Sequence, residues 1–478
     1  MKKVFLLISI GRVFQIVISL VAVRLFTTIL TTAEVGNLYL INSIVGFYGL
    51  ALINPIHMYI YRKIYSWAEE KQLINCFFVF NGYLLLIAFL SLPLTFLLIR
   101  AFGLARTIDL IHLMLFLVLN IYCLTWNQVI LSVLNILNHR KSFILFTILT
   151  LSLGLAFSIV MVKFSSASAL GWLNGQLIAL GLIAGFAFLY FKRVFGDKLN
   201  LDHIRCLING QNLNSIMVFA LPLCLTNLFM WAQNQSYRLI VEKYIGLEFL
   251  AMLGLGLSIS SNVATAVESI IQQLYYPGYY LEISTYDPKQ RTHAWNRMAQ
   301  MVLPIYASLT IMVSCLAPFM VNILASKKFS EAFIFVIYGA WIELFRMTTN
   351  LLASVAHAEM QTKYLVKAYF GGGLMAVCGT YFASKWQEYH QIIPLVLLAS
   401  GFLTLTVMYF EMKKLVQFKV GIRHIRKAVL LSLPFTLALP FYSHSQNLTV
   451  SLIVTFTMGT YFMAAQYRLS RVFVAENF

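Results

Sequence analysis

Acid is scarce in this 478-residue chain. Asp and Glu together number 17 against 35 Lys and Arg, and charged residues of both signs make up only 11% of the sequence. Long polar segments are missing too. No connection between apolar runs exceeds roughly 25 residues, which leaves no room for a soluble catalytic domain. The cysteines, Cys76, Cys123, Cys206, Cys224, Cys315 and Cys378, show no Cys-x-x-Cys spacing and read as small interior residues. Neither a Walker loop, nor His-Glu-x-x-His, nor Cys/His metal spacing occurs, so direct ATP hydrolysis and metal catalysis of those kinds are excluded, and no cofactor or metal is called for. Alternating apolar and polar residues are absent, which argues against a β-barrel.

Apolar residues are abundant instead, at 60% of the chain with a mean hydropathy of +0.80. Lipid is the solvent such a sequence fits. The expected class is an all-α polytopic membrane protein. Apolar runs predict helices near 4–30, 36–61, 74–99, 110–137, 142–162, 168–191, 214–243, 249–274, 298–325, 330–356, 362–384, 391–411, 428–442 and 449–467, about fourteen, with twelve as the alternative count because the last two are short. The opening MKKVFLLISIGRVFQIVISL has a long apolar run, contains Arg12 and lacks a small-residue cleavage site, so it reads as the first membrane helix.

Placing the N-terminus in the cytoplasm and alternating sides gives a one-sided distribution of basic residues. The cytoplasmic segments receive Lys2, Lys3, Arg62, Lys63, Lys71, Lys192, Arg193, Lys413, Lys414, Arg423, Arg426 and Lys427 among others, whereas the opposite side holds only Arg100, Arg106, Lys163, Lys243, Lys327, Lys328 and Lys385. Both termini are therefore expected in the cytoplasm. This bias accounts for the net charge of +18 without a nucleic-acid partner, and membrane lipids are the partners it implies.

The polar connection KRVFGDKLNLDHIRCLINGQN divides the chain into an expected N-terminal six-helix lobe (1–195), a cytoplasmic linker (196–213), a C-terminal six-helix lobe (214–411) and a basic loop with a C-terminal helix pair (412–478). A weak repeat supports the division: Arg24-Leu25 followed by Glu34 recurs at the same spacing as Arg238-Leu239 followed by Glu248.

Arg12, Arg24, Arg238 and Arg346 fall inside apolar runs, where each costs about 2.5–3.5 kcal/mol on insertion scales. Snorkelling to the headgroups is one reading for Arg24 and Arg238; a polar interior is the other. In the tenth helix, Glu343, Arg346, Asn350, Ser354 and His357 fall on one stripe about 80° wide. Asn120, Asn127 and Asn138 form a stripe on the fourth helix, and Ser261, Thr265, Glu268 and Gln272 one on the eighth. Their recurrence in both halves predicts two lobes around a hydrated central cavity, although interhelical hydrogen bonds explain some of them equally well. Gln233 to Arg238, which includes Asn234, is the most polar stretch inside any helix. Trp126, Trp231 and Trp341 also lie within helices, as sugar-stacking platforms or as core. Four arginines against the two deeply placed acids, Glu268 and Glu343, predict an anion-attracting site, best matched by a phosphate or pyrophosphate. Any ion coupling would run through those two acids.

The segment RLFTTILTTAEVGNLYLINSIVGF (24 to 47) resembles the polysaccharide-export flippases, including the O-antigen flippases, of the multidrug/oligosaccharidyl-lipid/polysaccharide exporter superfamily. NQSYRLIVEKYIGLEFLAMLGLG (234 to 256) is similar to that family's second-half signature, with Tyr237 in place of an acid and Leu250 and Leu253 in place of glycine and tyrosine. The resemblance implies a bacterial inner-membrane flippase, not an enzyme, that carries an undecaprenyl-pyrophosphate-linked oligosaccharide from the cytoplasmic to the periplasmic leaflet by alternating access. It implies that Arg24 and Arg238 hold the pyrophosphate, and that the chain works beside a glycan polymerase and a chain-length regulator. Arg12, Arg346, Asn234 and Asn127 complete the expected substrate-binding set. A drug/cation antiporter of the same fold, a lipid II flippase and a membrane-embedded glycan polymerase are the alternatives.

Overall fold

A computed structural model describes the backbone of residues 2–196, 199, 204, 209–285, 288–359, 361–418 and 421–477. Side chains are described there except at 2–10, 12, 13, 211, 277, 280, 281, 283–285, 288, 289, 422 and 470–477. The Arg12 side chain and much of the 196–213 linker therefore lie outside the described residues.

Every regular element among the described residues is helical. The chain is a multi-pass membrane protein in which twelve helices are long and apolar enough to cross a bilayer. The elements in chain order are α1 (Lys2–Ile29), α2 (Thr32–Phe47), a π-helical segment (Tyr48–Ile53), α3 (Asn54–Glu69), α4 (Leu73–Phe102), α5 (Leu110–Ile136), α6 (Arg140–Phe164) and α7 (Ala169–Phe195). There follow α8 (Gly210–Gln235), α9 (Tyr237–Tyr244), α10 (Leu247–Thr285), α11 (Pro288–Leu324), α12 (Phe333–Ala358), α13 (Lys363–Ala383) and α14 (Tyr389–Lys413). The chain ends with α15 (Ile422–Ser432), a 3₁₀ segment (Leu433–His444) and α16 (Leu448–Asn477).

The expected helices recur, and three of the departures have a clear local cause. First, the helix expected over 214–243 breaks at Ser236, where its hydroxyl donates back to the Ala232 carbonyl. This is the polar run noted above, and side chains that compete for backbone partners weaken a helix there. Second, α10 and α11 run about ten residues past their expected facing ends, because these stretches are amphipathic and an apolar-run criterion stops short of them. Third, the second span contains the π segment, followed by Pro55 at the start of α3.

The chain divides into two compact units, Met1–Trp231 with Val241–Leu247, and Ala232–Ile240 with Glu248–Phe478. Within each, the same neighbours pack. In the first unit α6 lies against α7 so closely that a Cβ on Gly175 would meet the Ser158 backbone nitrogen at 2.2 Å, and the Ser158 hydroxyl donates to the Trp172 carbonyl at 2.7 Å. In the second, a Cβ on Gly372 of α13 would fall 1.9 Å from Thr404 Oγ1 of α14, and the Ser400 hydroxyl donates to the Gly372 carbonyl at 3.2 Å. Small residues and a hydroxyl-to-carbonyl bond replace the hydrophobic drive that lipid does not provide between helices. The outward faces carry large apolar groups such as Phe89, Leu97, Leu189 and Phe402, as a lipid-facing surface requires.

Candidate functional site

The most polar interior of the second unit lies between α10 and α12. Helical spacing puts Glu343, Arg346 and Asn350 on one side of α12, and α10 brings Glu268 to them. Arg346 donates from Nε to Glu343 Oε2 at 2.6 Å and from Nη1 to Glu268 Oε2 at 3.0 Å. The other oxygen of Glu268 accepts from Asn350 Nδ2 at 2.9 Å. Both carboxylates are buried, at 5% and 8% exposure. Tyr306 of α11 and Tyr369 of α13 lie within electrostatic reach of Glu268 and Arg346. The Tyr306 hydroxyl and Arg346 Nη2 are buried without a hydrogen-bond partner among the described residues.

The charge balance here differs from the sequence-wide tally. Two carboxylates share one guanidinium, so the cluster carries one negative charge in excess, and Arg346 is already engaged on two of its nitrogens. A buried surplus of this kind is costly unless a proton or a small cation joins it. Chemically the arrangement offers two buried acceptor carboxylates around one guanidinium. The rest of the expected stripe separates from it: Ser354 donates to the Leu351 carbonyl at 2.7 Å and accepts from Trp295 Nε1 at 3.2 Å, while His357 is exposed near the helix end.

The other sequence-chosen residues are dispersed. Arg24 is half-buried on α1, and its carbonyl accepts from the hydroxyls of Thr27 and Thr28. Arg238, on α9, donates from Nε to the Tyr237 hydroxyl at 3.2 Å. Asn234 is half-buried in the last turn of α8. Asn127 is buried and donates to Thr150 Oγ1 at 3.2 Å, which ties α5 to α6. Asn138 has a positive φ of 67° just past the end of α5, a turn position rather than part of a helix stripe. Trp231 donates from its indole to the Ser43 carbonyl at 2.9 Å and is core, whereas Trp341 is exposed.

The repeated Glu34 has a local function that its sequence did not reveal. Its Oε2 accepts the Ala169 amide at 2.6 Å, satisfying the first N–H of α7, and its Oε1 accepts from Asn37 at 3.1 Å. Glu248, at the matching position, is exposed.

One groove in the second unit was only partly anticipated. Val267, Ile270 and Leu274 of α10, Pro304 of α11, and Phe462 and Met463 of α16 line an apolar cavity of about 310 Å³, rimmed by Gln300, His424 and Gln466. The C-terminal helix pair expected from the sequence contributes Phe462 and Met463 to it. Its lining from α10 carried no separate signal, because lipid-facing and groove-facing leucines look alike in sequence.

No family model matches the chain, and no curated protein does. Solved structures do. The lipid II flippase MurJ in an inward closed conformation superposes with a TM-score of 0.65 at 15% identity, covering 98% of this chain and 99% of that one. An inward-facing multidrug resistance MATE family transporter of the MOP superfamily gives 0.60 at 11% identity over 85% of this chain and 94% of its own. An outward-facing one gives 0.54 at 12% over 87% and 96%. Its helix order, its two repeated units and these superpositions together give this chain the fold of the MATE transporters and of the lipid II flippase.

Proposed function

We propose that the chain is a flippase that moves a lipid-linked oligosaccharide, an undecaprenyl-pyrophosphate carrier bearing a polysaccharide repeat unit such as O-antigen, from the cytoplasmic to the periplasmic leaflet of a bacterial inner membrane by alternating access. The observation that carries this reading is the apolar groove of about 310 Å³ on α10, α11 and α16, with α10 also carrying Glu268 of the charged cluster. A substrate with a long hydrocarbon tail and a polar head needs such a neighbourhood; a small amphipathic drug does not need the groove. Support also comes from coverage. The likeness to the lipid II flippase extends over more of the chain than the likeness to the MATE transporters, and the difference corresponds to about the length of the C-terminal helix pair.

In this reading Arg24 and Arg238 take the pyrophosphate, and Arg12 and Asn234 belong to the substrate-binding set. Asn127 and Arg346 complete the substrate-binding set, Asn127 held by Thr150 and Arg346 held by Glu343 and Glu268 through Nε and Nη1 with Nη2 left over. Glu268 and Glu343 take up a proton or a sodium ion and release it as the cycle proceeds. Both termini face the cytoplasm, and a glycan polymerase with its chain-length regulator receives the flipped product.

The surplus negative charge of the cluster favours one second reading, a drug/cation antiporter. Proteoliposomes distinguish the two. Wild type should flip a fluorescent polyprenyl-pyrophosphate oligosaccharide, Arg24→Gln and Arg238→Gln should lose that activity at equal reconstitution, and Glu268→Gln and Glu343→Gln should lose the response to an imposed ion gradient. Export of a cationic dye with no flipping would favour the antiporter. Gradient-sensitive flipping in both Glu→Gln variants would remove the coupling assignment.

A further inference from the structure

The first unit contains a crevice that the proposed transport cycle does not use. It lies between α4, α5 and α7, measures about 440 Å³, and has aromatic walls from Phe77, Phe78, Trp126 and Phe188. Asn81, Tyr122, Cys123 and Trp126 bring polar groups to its lining, and Asn81 joins two of the others. Asn81 Oδ1 accepts from the Tyr122 hydroxyl at 2.8 Å and from Trp126 Nε1 at 3.1 Å. Two donors on one atom fix which end of the carboxamide is oxygen. The Nδ2 group, with two hydrogens to donate, meets no acceptor among the described residues.

The depth of that donor can be estimated. At 30 residues, α4 is about 45 Å long, so about 7 Å extends past each face of a hydrocarbon core of about 30 Å. Asn81 is about 12 Å along the helix from Leu73, which places it roughly 5 Å inside the hydrocarbon boundary, so that an ester carbonyl, which lies at that boundary, reaches it when the lipid settles about one helix turn into the crevice. Beyond that boundary, at the same end of the bundle, stand exposed basic groups: Lys192 and Arg193 in the last turn of α7, and Lys71 just before α4. The outer walls are lipid-facing, with Phe78 and Phe188 both exposed.

We propose that this crevice binds one ester-linked anionic phospholipid. An acyl chain lies against Trp126 and Phe77, Asn81 Nδ2 donates to the ester carbonyl, and Lys192 and Arg193 receive the phosphate. By the distribution of basic residues the bound lipid belongs to the cytoplasmic leaflet. The second unit supplies an internal control. Its crevice between α11, α12 and α14, about 460 Å³, also contains a tryptophan, Trp295 on α11 rather than on the α12 that corresponds to α5, but the Trp295 indole donates to the Leu351 carbonyl and to Ser354, and Phe418 stands over it at 4.7 Å between ring centroids. No asparagine lines that crevice.

The test uses the full chain with Trp126 as its only tryptophan, the others replaced by phenylalanine, reconstituted in vesicles. Phosphatidylglycerol brominated near the carbonyl end of its acyl chains should quench Trp126 more strongly than phosphatidylcholine brominated at the same carbons. Lys192→Ala and Arg193→Ala should each weaken that preference about fivefold, and a variant retaining only Trp295 should show no preference. Should the single-tryptophan chain fail to fold, native mass spectrometry of the otherwise unaltered protein gives the same decision: one retained phosphatidylglycerol, lost in Asn81→Leu. Equal quenching by the two lipids, or retention unaffected by Asn81→Leu, overturns the proposal. So does displacement of the quencher by undecaprenyl phosphate but not by phosphatidylglycerol, which would assign the crevice to the carrier lipid.

Discussion

The two units share a helix order and a packing rule, yet they differ in what they bury. The second closes α10 and α12 around two carboxylates and a guanidinium. The first uses neutral groups in the corresponding helices. Asn120 and Asn127 lie as far into α5 as Glu343 and Asn350 do into α12, and Cys123 falls where the second unit has Arg346. Nearby, the Tyr48 hydroxyl pairs with Thr95 Oγ1 at 2.7 Å and donates to the Ser91 carbonyl at 3.2 Å. One scaffold thus tolerates either a charged or a neutral interior, because helix contacts in lipid depend on close backbone approach more than on the side chains between. A response to ion gradients would then be a property of the second unit.

Removing the guanidinium should break the comparison most severely. Arg346→Leu leaves two buried carboxylates facing each other and should cost about 3–5 kcal/mol, read as earlier thermal unfolding in detergent, with recovery when Glu268 and Glu343 are both changed to glutamine. Unchanged unfolding in Arg346→Leu would mean that the cluster is wetter than its burial indicates. The converse substitution comes next. Asn120→Glu places an acid into the neutral unit and should cost about 2.5–3.5 kcal/mol, partly recovered by adding Cys123→Arg at the i+3 position. If the lone acid is tolerated, the first unit already has a cation partner there.

The repeated glutamates give a smaller contrast. Glu34→Gln weakens a charged bond to the α7 amide and should cost about 1.5–3 kcal/mol, whereas Glu248→Gln should stay within about 0.5 kcal/mol. Equal losses would mean that Glu248 caps a helix in solution as Glu34 does here. The smallest expected effect tests where the units agree: Ser158→Ala and Ser400→Ala should each cost about 0.6 kcal/mol, with no difference between them.

Much of this architecture was readable in the sequence because lipid imposes a length on every span. That constraint made helix positions legible to within a turn in most cases. Glu343, Arg346 and Asn350 were also legible as a group, since their spacing alone puts them on one face. The pairing of Arg346 with Glu268 was not, because it joins residues of two helices and no local pattern encodes it. For Asn127, expected as a substrate contact, the structure adds a bond to Thr150 that no local pattern encodes, because a lone asparagine in an apolar helix looks the same whatever it meets. Asn81 was overlooked for the opposite reason: it stands alone on α4, with no polar neighbour at helical spacing, and only the tertiary meeting with Tyr122 and Trp126 makes it noticeable.

The π segment has a further consequence. A π turn holds one residue more than an α turn, so everything after Ile53 is rotated by about 100° relative to an uninterrupted helix. The segment can therefore be regarded as a one-residue insertion stored within the membrane, which the continuous α10 of the second unit lacks. Deleting Gly49, beside which no atom lies within 4 Å of where a Cβ would sit, would return the span to plain α geometry and leave His57 and Ile64 on the faces they now bury, whereas tightening the π turn to α with Gly49 retained would turn both off those faces. The spare residue thus acts as a phase shifter: α2 and α3 are one rod in length but two in orientation.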